Sequence, residues 1–161
     1  MKESEITIQQ TGLKAGLLNA TALILYFMLM RWMNWTGSAT AWGFNFIILL
    51  TGITLTYRFY RSKTQPNIDY LPGMMLGFET TMVTVIAFTL FVFLYFTSVS
   101  PALLDSLGDN VLFMKKNVSP ASAAISTFVE GLSSGVIISF TMMQYYRSGF
   151  RRTRMEKSLQ G

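Results

Sequence analysis

Long apolar runs, separated by short clusters of charged residues, limit most strongly how this chain can fold. Four such runs cover residues 12–33, 40–58, 72–98 and 121–146. At ~1.5 Å of rise per residue, a helix of each length spans the ~30 Å hydrocarbon core of a bilayer. We therefore expect an all-α integral membrane protein, in which four transmembrane helices form a single domain over 1–161.

The composition excludes several classes of function. The chain of 161 residues is 51% hydrophobic and only 13% charged, and it has neither cysteine nor histidine. Disulfides, thiolate or imidazole metal centres and Ser-His triads are therefore excluded, so we expect no metal, no cofactor and no enzyme activity. The net charge of +5 flanks the apolar runs, where it sets topology and predicts no binding to nucleic acid.

The basic residues predict the orientation in the membrane. Of the 13 Lys and Arg residues, only Arg31, Lys115 and Lys116 lie outside three regions: the N-terminal side, the loop after the second run, and the tail 147–161. The positive-inside rule therefore places both termini, with the basic tail, in the cytoplasm. Acidic residues near the start argue against a cleaved signal peptide, so we expect the first run to be retained.

The connection between the third and fourth runs is predicted to form a short amphipathic helix on the outer membrane surface. Ser100-Pro101 is typical of an N-cap followed by proline at the first helical position. Apolar residues then recur at helical spacing, at Leu103, Leu104, Leu107, Val111 and Met114. An ordered loop is the alternative. Ser119-Pro120 repeats the capping signal and predicts the start of the fourth span.

Two pairs of similar segments indicate an internal repeat. Residues 11–21 resemble residues 72–82, and residues 51–57 resemble residues 134–140. The two members of each pair would cross the membrane in the same direction. The pattern therefore favours two parallel helical-hairpin repeats, related by an axis along the membrane normal. Chance similarity between apolar sequences is the alternative.

Glycines at small-xxx-small spacing predict close contacts between helices. The three pairs are Gly12 with Gly16, Gly73 with Gly77, and Gly131 with Gly135. Because lipid gives little hydrophobic drive for helix association, glycine contributes by letting backbones approach and pack closely. These faces pack within the bundle in one interpretation, and bind helices of other chains in the other.

Two carboxylates fall inside the predicted spans. Glu79 lies two turns from the cytoplasmic edge of the third run, where Lys14, Arg58 or Arg147 could pair with it. Glu130 lies ~15 Å from the outer end of the fourth, near the midplane, where an unpaired charge costs at least ~2.5–3.5 kcal/mol. We therefore expect Glu130 to be protonated, paired or hydrated.

Polar neighbours of Glu130 lead to two hypotheses about its role. Ser and Thr side chains surround it at helical spacing, and Asn side chains on the first two spans could face it: Ser126, Thr127, Ser133, Ser134, Asn19 and Asn45. In one hypothesis, Glu130 is a neutral acid in a buried hydrogen-bond network that fixes the bundle. In the other, it is the binding or proton site of a small transport pathway.

The order of the motifs resembles a known family. The second span ends in Tyr57-Arg58 and Tyr60-Arg61, the segment NIDYLPGMMLGF leads into the third, and the amphipathic segment precedes the fourth. Together these features resemble domain-of-unknown-function family 4199, small inner-membrane proteins of Bacteroidota-type bacteria. The resemblance implies four spans, a bacterial inner membrane and cytoplasmic termini. It carries over no catalytic residue, because the family has no established activity.

Two functional hypotheses follow from these patterns. The first is an accessory or scaffold subunit of a larger inner-membrane assembly, which binds other membrane subunits through its glycine-rich helix faces. The second is a small homo-oligomeric transporter or permeation unit, with Glu130 as its buried site. In both hypotheses the protein is embedded in, and contacts, the lipid bilayer.

Overall fold

The computed structural model describes the backbone of residues 2–33, 39–63, 70–99 and 119–159, and the side chains of 8–33, 43–62, 71–99 and 119–145. The secondary structure in these ranges is helical. The helices are α1 (Lys2–Trp32), α2 (Ala39–Lys63), α3 (Tyr70–Ser98) and α4 (Pro120–Leu159). The all-helical prediction is therefore confirmed. The amphipathic helix predicted from Ser100 onward lies outside the described residues.

The start of α4 follows the predicted capping signal. The Ser122 backbone N–H donates to Ser119 Oγ at 3.1 Å, and the Ser119 backbone N–H donates to Ser122 Oγ at 2.9 Å. This reciprocal capping satisfies two N–H groups that a helix N-terminus otherwise leaves without partners. The helix then continues past the predicted end of the span at residue 146 to Leu159, because the tail has no proline and is rich in helix-forming residues.

Within the residues whose side chains the structure describes, three of the four helices contain a segment long and apolar enough to cross a membrane. They contain the segments Ile8–Trp32, Leu71–Ser98 and Pro120–Tyr145. The second helix, which is 25 residues long, is not among them. Its apolar run is interrupted by several polar side chains, at Asn45, Thr51, Thr54 and Thr56. The chain therefore has the character of a helical membrane protein with a lipid environment.

Helix α3 packs against the other three helices, and its largest contacts are with α1 and α4. Gly12 of α1 faces Glu79 of α3, and Gly16, one turn later, faces Val83. The residue numbers of the contacting positions increase together on both helices, so α1 and α3 run parallel. This parallel packing places the N-terminal halves of both helices at the same end of the bundle.

The other two helices run in the opposite direction. On α4, Gly131 faces Val85 and Gly135 faces Thr81, so the numbers fall on α3 as they rise on α4. Helix α2 is antiparallel to α1 in the same way: Asn19 contacts Gly52, and the rings of Tyr26 and Phe44 lie 6.3 Å apart.

In the described part of the chain, two apolar clusters form the core. The first joins the C-terminal halves of α1 and α3 to the start of α4, around Phe27, which is fully buried and packs edge-on against the ring of Tyr95 at 5.1 Å. The second joins the C-terminal half of α2 to the start of α3 and the middle of α4, around Ile53 and Tyr57. Between the clusters, α3 carries a run of buried polar residues.

Candidate functional site

Three threonines of α3 form the centre of a buried polar layer at mid-height in the bundle. Thr80, Thr81 and Thr84 are all fully buried. Each hydroxyl donates to the carbonyl four residues earlier, at 2.8 Å for Thr80 and Thr81 and at 2.7 Å for Thr84. These bonds within the helix satisfy the hydroxyl donors and let polar side chains lie inside an apolar bundle.

The hydroxyl of Thr84 also binds across the helix interface. It contacts the Gly16 carbonyl oxygen of α1 at 3.1 Å. A Cβ at Gly16 would lie 2.7 Å from Val83 Cβ and 2.9 Å from the Thr80 carbonyl oxygen, closer than atoms pack. The absence of a side chain at Gly16 therefore allows the approach that brings this carbonyl to Thr84.

Asn19 of α1 extends the polar layer toward α2. Its side chain is 5% exposed and packs directly on Gly52, where a Cβ would collide with the amide. The Nδ2 group of Asn19 has no hydrogen-bond partner among the described residues. Asn19, which the sequence allowed to face Glu130, therefore lies at the α1–α2 contact.

Helices α2, α3 and α4 meet at the glycine pair of α3. Tyr57 Oη donates to the Gly73 carbonyl at 2.7 Å. A Cβ at Gly77 would collide with Tyr57 Oη and lie 2.7 Å from Ser139 Oγ. Like the amide of Asn19, the buried Ser139 hydroxyl has no hydrogen-bond partner in the described part of the chain.

All six glycines at small-xxx-small spacing therefore contact helices of their own chain. Gly12 and Gly16 face α3, Gly131 and Gly135 face the opposite side of that helix, and Gly73 and Gly77 face α2 and α4. The expectation that these faces receive helices from other chains is revised. Each face is covered by a helix of the same chain, because α3 packs closely against α1, α2 and α4.

Glu79 lies beside Gly12, half-buried in the α1–α3 contact. A Cβ at Gly12 would be 3.1 Å from the Glu79 Cδ atom. The expected ion pair with Lys14 or Arg58 is not formed between these described side chains, and the side chain of Arg147 lies outside the described residues. The described residues also contain no group of three acidic side chains that could hold a metal ion.

Glu130 lies on the exposed surface of α4, not inside the bundle. Its neighbour Gly131 faces Val85, which lies in the middle of the Leu71–Ser98 segment, so the depth of Glu130 is close to the midplane. Successive residues of a helix are rotated by ~100°, and with Gly131 turned toward α3, Glu130 is turned outward. The prediction of a buried Glu130 is therefore wrong for the single chain.

A row of hydroxyls accompanies this carboxyl group. We call the surface formed by Ser126, Thr127, Glu130, Ser133 and Ser134 the Glu130 face; its residues are exposed or half-buried. None of these side chains hydrogen-bonds to the described part of the chain. Nine threonines elsewhere donate to a backbone carbonyl of their own helix, as Thr141 does at 2.8 Å.

The remaining predicted residue, Asn45 of α2, has a buried Oδ1 atom with no hydrogen-bond partner among the described residues. The structure therefore separates the predicted polar set into a buried layer, which contains Asn19, and an exposed face, which contains Glu130. Thr84 and Gly52 were not among the residues predicted from the sequence. The polar run from Glu79 to Thr84, and the match of Gly52 with Gly135 in the repeat, were the available signals.

Comparisons of the chain with protein-family models, with curated proteins and with solved structures return no match. The resemblance to family 4199 therefore stays a prediction, and any conclusion about function has to come from the helices themselves.

Proposed function

We propose that this chain is an accessory or scaffold subunit of a larger bacterial inner-membrane assembly. The observation that carries the proposal is the exposed position of Glu130 near the midplane of α4. A single copy of the bundle would leave this carboxyl group in contact with lipid. A partner that covers the Glu130 face would remove that contact.

A polar group that lies in hydrocarbon without a partner costs free energy. An acid at the centre of a transmembrane helix costs at least ~2.5–3.5 kcal/mol on insertion scales, and each hydroxyl without a partner adds to that cost. Polar side chains that cross helix interfaces contribute about 0.6 kcal/mol each on average. A second protein surface that hydrogen-bonds to the carboxyl and hydroxyl groups of the Glu130 face would therefore bind with a favourable free energy.

The same proposal includes four membrane crossings with both termini in the cytoplasm. Two parallel helices that both cross a membrane, as α1 and α3 are arranged, need a return crossing between them. Helix α2 is the described helix between them in the chain, and its 25 residues would extend over ~37 Å, enough for a ~30 Å core. The basic residues after α2 and α4 favour a cytoplasmic position for those ends.

A duplicated helical hairpin is also part of the proposal. Gly52 of α2 packs on Asn19 of α1, and Gly135 of α4 packs on Thr81 of α3. In the alignment of the repeats, Gly52 matches Gly135, and Asn19 matches Thr80, the neighbour of Thr81. Each hairpin thus packs a glycine of its second helix on a polar residue of its first helix, with the two contacts offset by one residue in the alignment.

The test of the proposed function is the composition of the particle that contains this chain in its native membrane. The membrane is solubilised in a mild detergent, the chain is purified through a C-terminal tag, and mass and subunit ratio are measured by native mass spectrometry. We expect other polypeptides in a fixed ratio. A particle made of this chain alone would contradict the proposal.

A small homo-oligomeric transporter is the second candidate, and the exposed position of Glu130 also favours it. In a ring of identical copies, the Glu130 faces could line a shared axis and form the polar site that the single bundle lacks. The measurement of particle mass separates the two candidates, because the transporter predicts only copies of this chain.

A further inference from the structure

Building on the proposed function, we infer that the Glu130 face binds a partner transmembrane helix that carries a lysine or arginine side chain at mid-membrane depth. Among the described residues, Glu130 and the hydroxyls of the Glu130 face lie together near the midplane on one side of α4. The hydrogen-bond acceptors of this face therefore favour a partner side chain that carries donors and a positive charge.

The acceptor groups match a cationic side chain. The carboxylate of Glu130 accepts hydrogen bonds, and the hydroxyl oxygens of Ser126 and Ser134 lie one helical turn to either side. A lysine ammonium group has three donors and no acceptor, and an arginine guanidinium has five donors. One such group could thus donate to the carboxylate and to a flanking hydroxyl together, since these oxygens have no other partner in the described part of the chain.

Charge complementarity favours this occupant over a second copy of the chain. A copy in the same membrane orientation would bring a second Glu130 to the face at the same depth. The basic side chains that the structure describes are Lys14, Arg31, Arg58 and Arg61. By the glycine contacts, Lys14 is level with Thr81 of α3 and Glu130 with the position after Val85, about five residues or ~7.5 Å apart, so a second copy supplies no cation at the depth of Glu130. A basic residue in a foreign helix carries a similar cost in lipid, and pairing lowers both costs together.

A reconstituted system tests this directly. The full chain has no cysteine, so Ser98→Cys, at the exposed end of α3, accepts a single donor dye. The chain is placed in phosphatidylcholine vesicles with an acceptor-labelled poly-leucine helix of about 24 residues that has one central lysine. Matched helices have a central leucine or glutamate. Energy transfer at increasing helix-to-lipid ratio gives the affinity for each probe.

We expect the central-lysine helix to bind the unsubstituted face at least about tenfold more tightly than the central-leucine helix. Glu130→Gln keeps the shape and hydrogen bonding of the side chain but removes its charge, and should abolish the preference. Glu79→Gln is the matched control: the same exchange at the other carboxylate, away from α4, should leave it unchanged. Glu130→Lys should reverse it in favour of the central-glutamate helix.

The inference is overturned if the lysine and leucine helices bind alike, or if Glu130→Gln keeps the preference. It is also overturned if the labelled chain associates with itself through Glu130 in the absence of a probe, because the occupant is then a second copy. Far-UV circular dichroism verifies that each variant is folded. The particle mass in native membranes is independent of these results: a mixed particle with no lysine preference would leave the proposed function standing and refute only this inference.

Discussion

At position 52, a single hydrogen in place of a side chain sets the distance between α1 and α2. The amide of Asn19 occupies the space that a Cβ would need. An apolar bundle in lipid has little hydrophobic drive for helix association, so its helices depend on close packing of this kind. Gly52 should therefore be among the positions least tolerant of even one added methyl group.

Gly52→Ala is expected to lower the free energy of unfolding in detergent by about 1–3 kcal/mol, because the methyl group forces the Asn19 amide or the whole helix to move. The matched control is Gly43→Ala on the same helix, where a Cβ would meet nothing within 4 Å. That exchange should be neutral or stabilise by up to about 1 kcal/mol through helix propensity. Unfolding of both variants is followed by circular dichroism against increasing sodium dodecyl sulfate.

A second comparison separates the clash from a loss of glycine flexibility. The double variant Asn19→Ala with Gly52→Ala removes the amide that the new methyl group meets. We expect the double variant to lose less free energy of unfolding than the two single variants lose in sum. Equal destabilisation at Gly43 and Gly52, or strict additivity with Asn19, would contradict a steric origin.

The contacts between elements combine glycine with hydroxyl groups. The single hydroxyl proton of Thr84 is shared between the Thr80 carbonyl of its own helix, at 2.7 Å, and the Gly16 carbonyl of α1, at 3.1 Å, whereas Thr81 donates to its own helix. Thr84→Val should therefore destabilise by about 0.6–1.7 kcal/mol, the range measured for hydrogen bonds between membrane helices. Thr81→Val, an exchange of the same shape in the same buried layer, should cost less than Thr84→Val, because it breaks no hydrogen bond between helices. The detergent titration used for Gly52 measures both, and equal costs would exclude a role for the interhelical bond.

At the scale of the elements, the sequence predicted what depends on composition and local spacing. Run lengths, the Ser119 cap and the glycine spacing follow from chemistry within one helix, and the helices lie where those signals indicate. The position of Glu130 depends instead on which face of α4 meets α3. In lipid both the inside and the outside of a bundle are apolar, so hydrophobic periodicity does not distinguish them.

At the scale of the whole molecule, the packing of the helices bears on how many times the chain crosses the membrane. Parallel packing of α1 and α3 requires α2 to return across the bilayer if both of them cross it. In this arrangement the two ends of α2 lie on opposite sides of the membrane. The C-terminal ends of α1 and α3 lie on the same side. Single cysteines can test these predictions without background, because the natural chain has none.

Three exposed positions mark the helix ends: Met33, Ser62 and Ser98. In intact cells with a permeabilised outer membrane, a membrane-impermeant maleimide should label Met33→Cys and Ser98→Cys. Ser62→Cys should react only after the inner membrane is disrupted, because the positive-inside rule predicts a cytoplasmic position for the basic end of α2. Labelling of Met33→Cys and Ser62→Cys from the same side would mean that α2 does not cross. The parallel α1–α3 contact could then not join two spanning helices, and the proposed bundle of four spans would have to be abandoned.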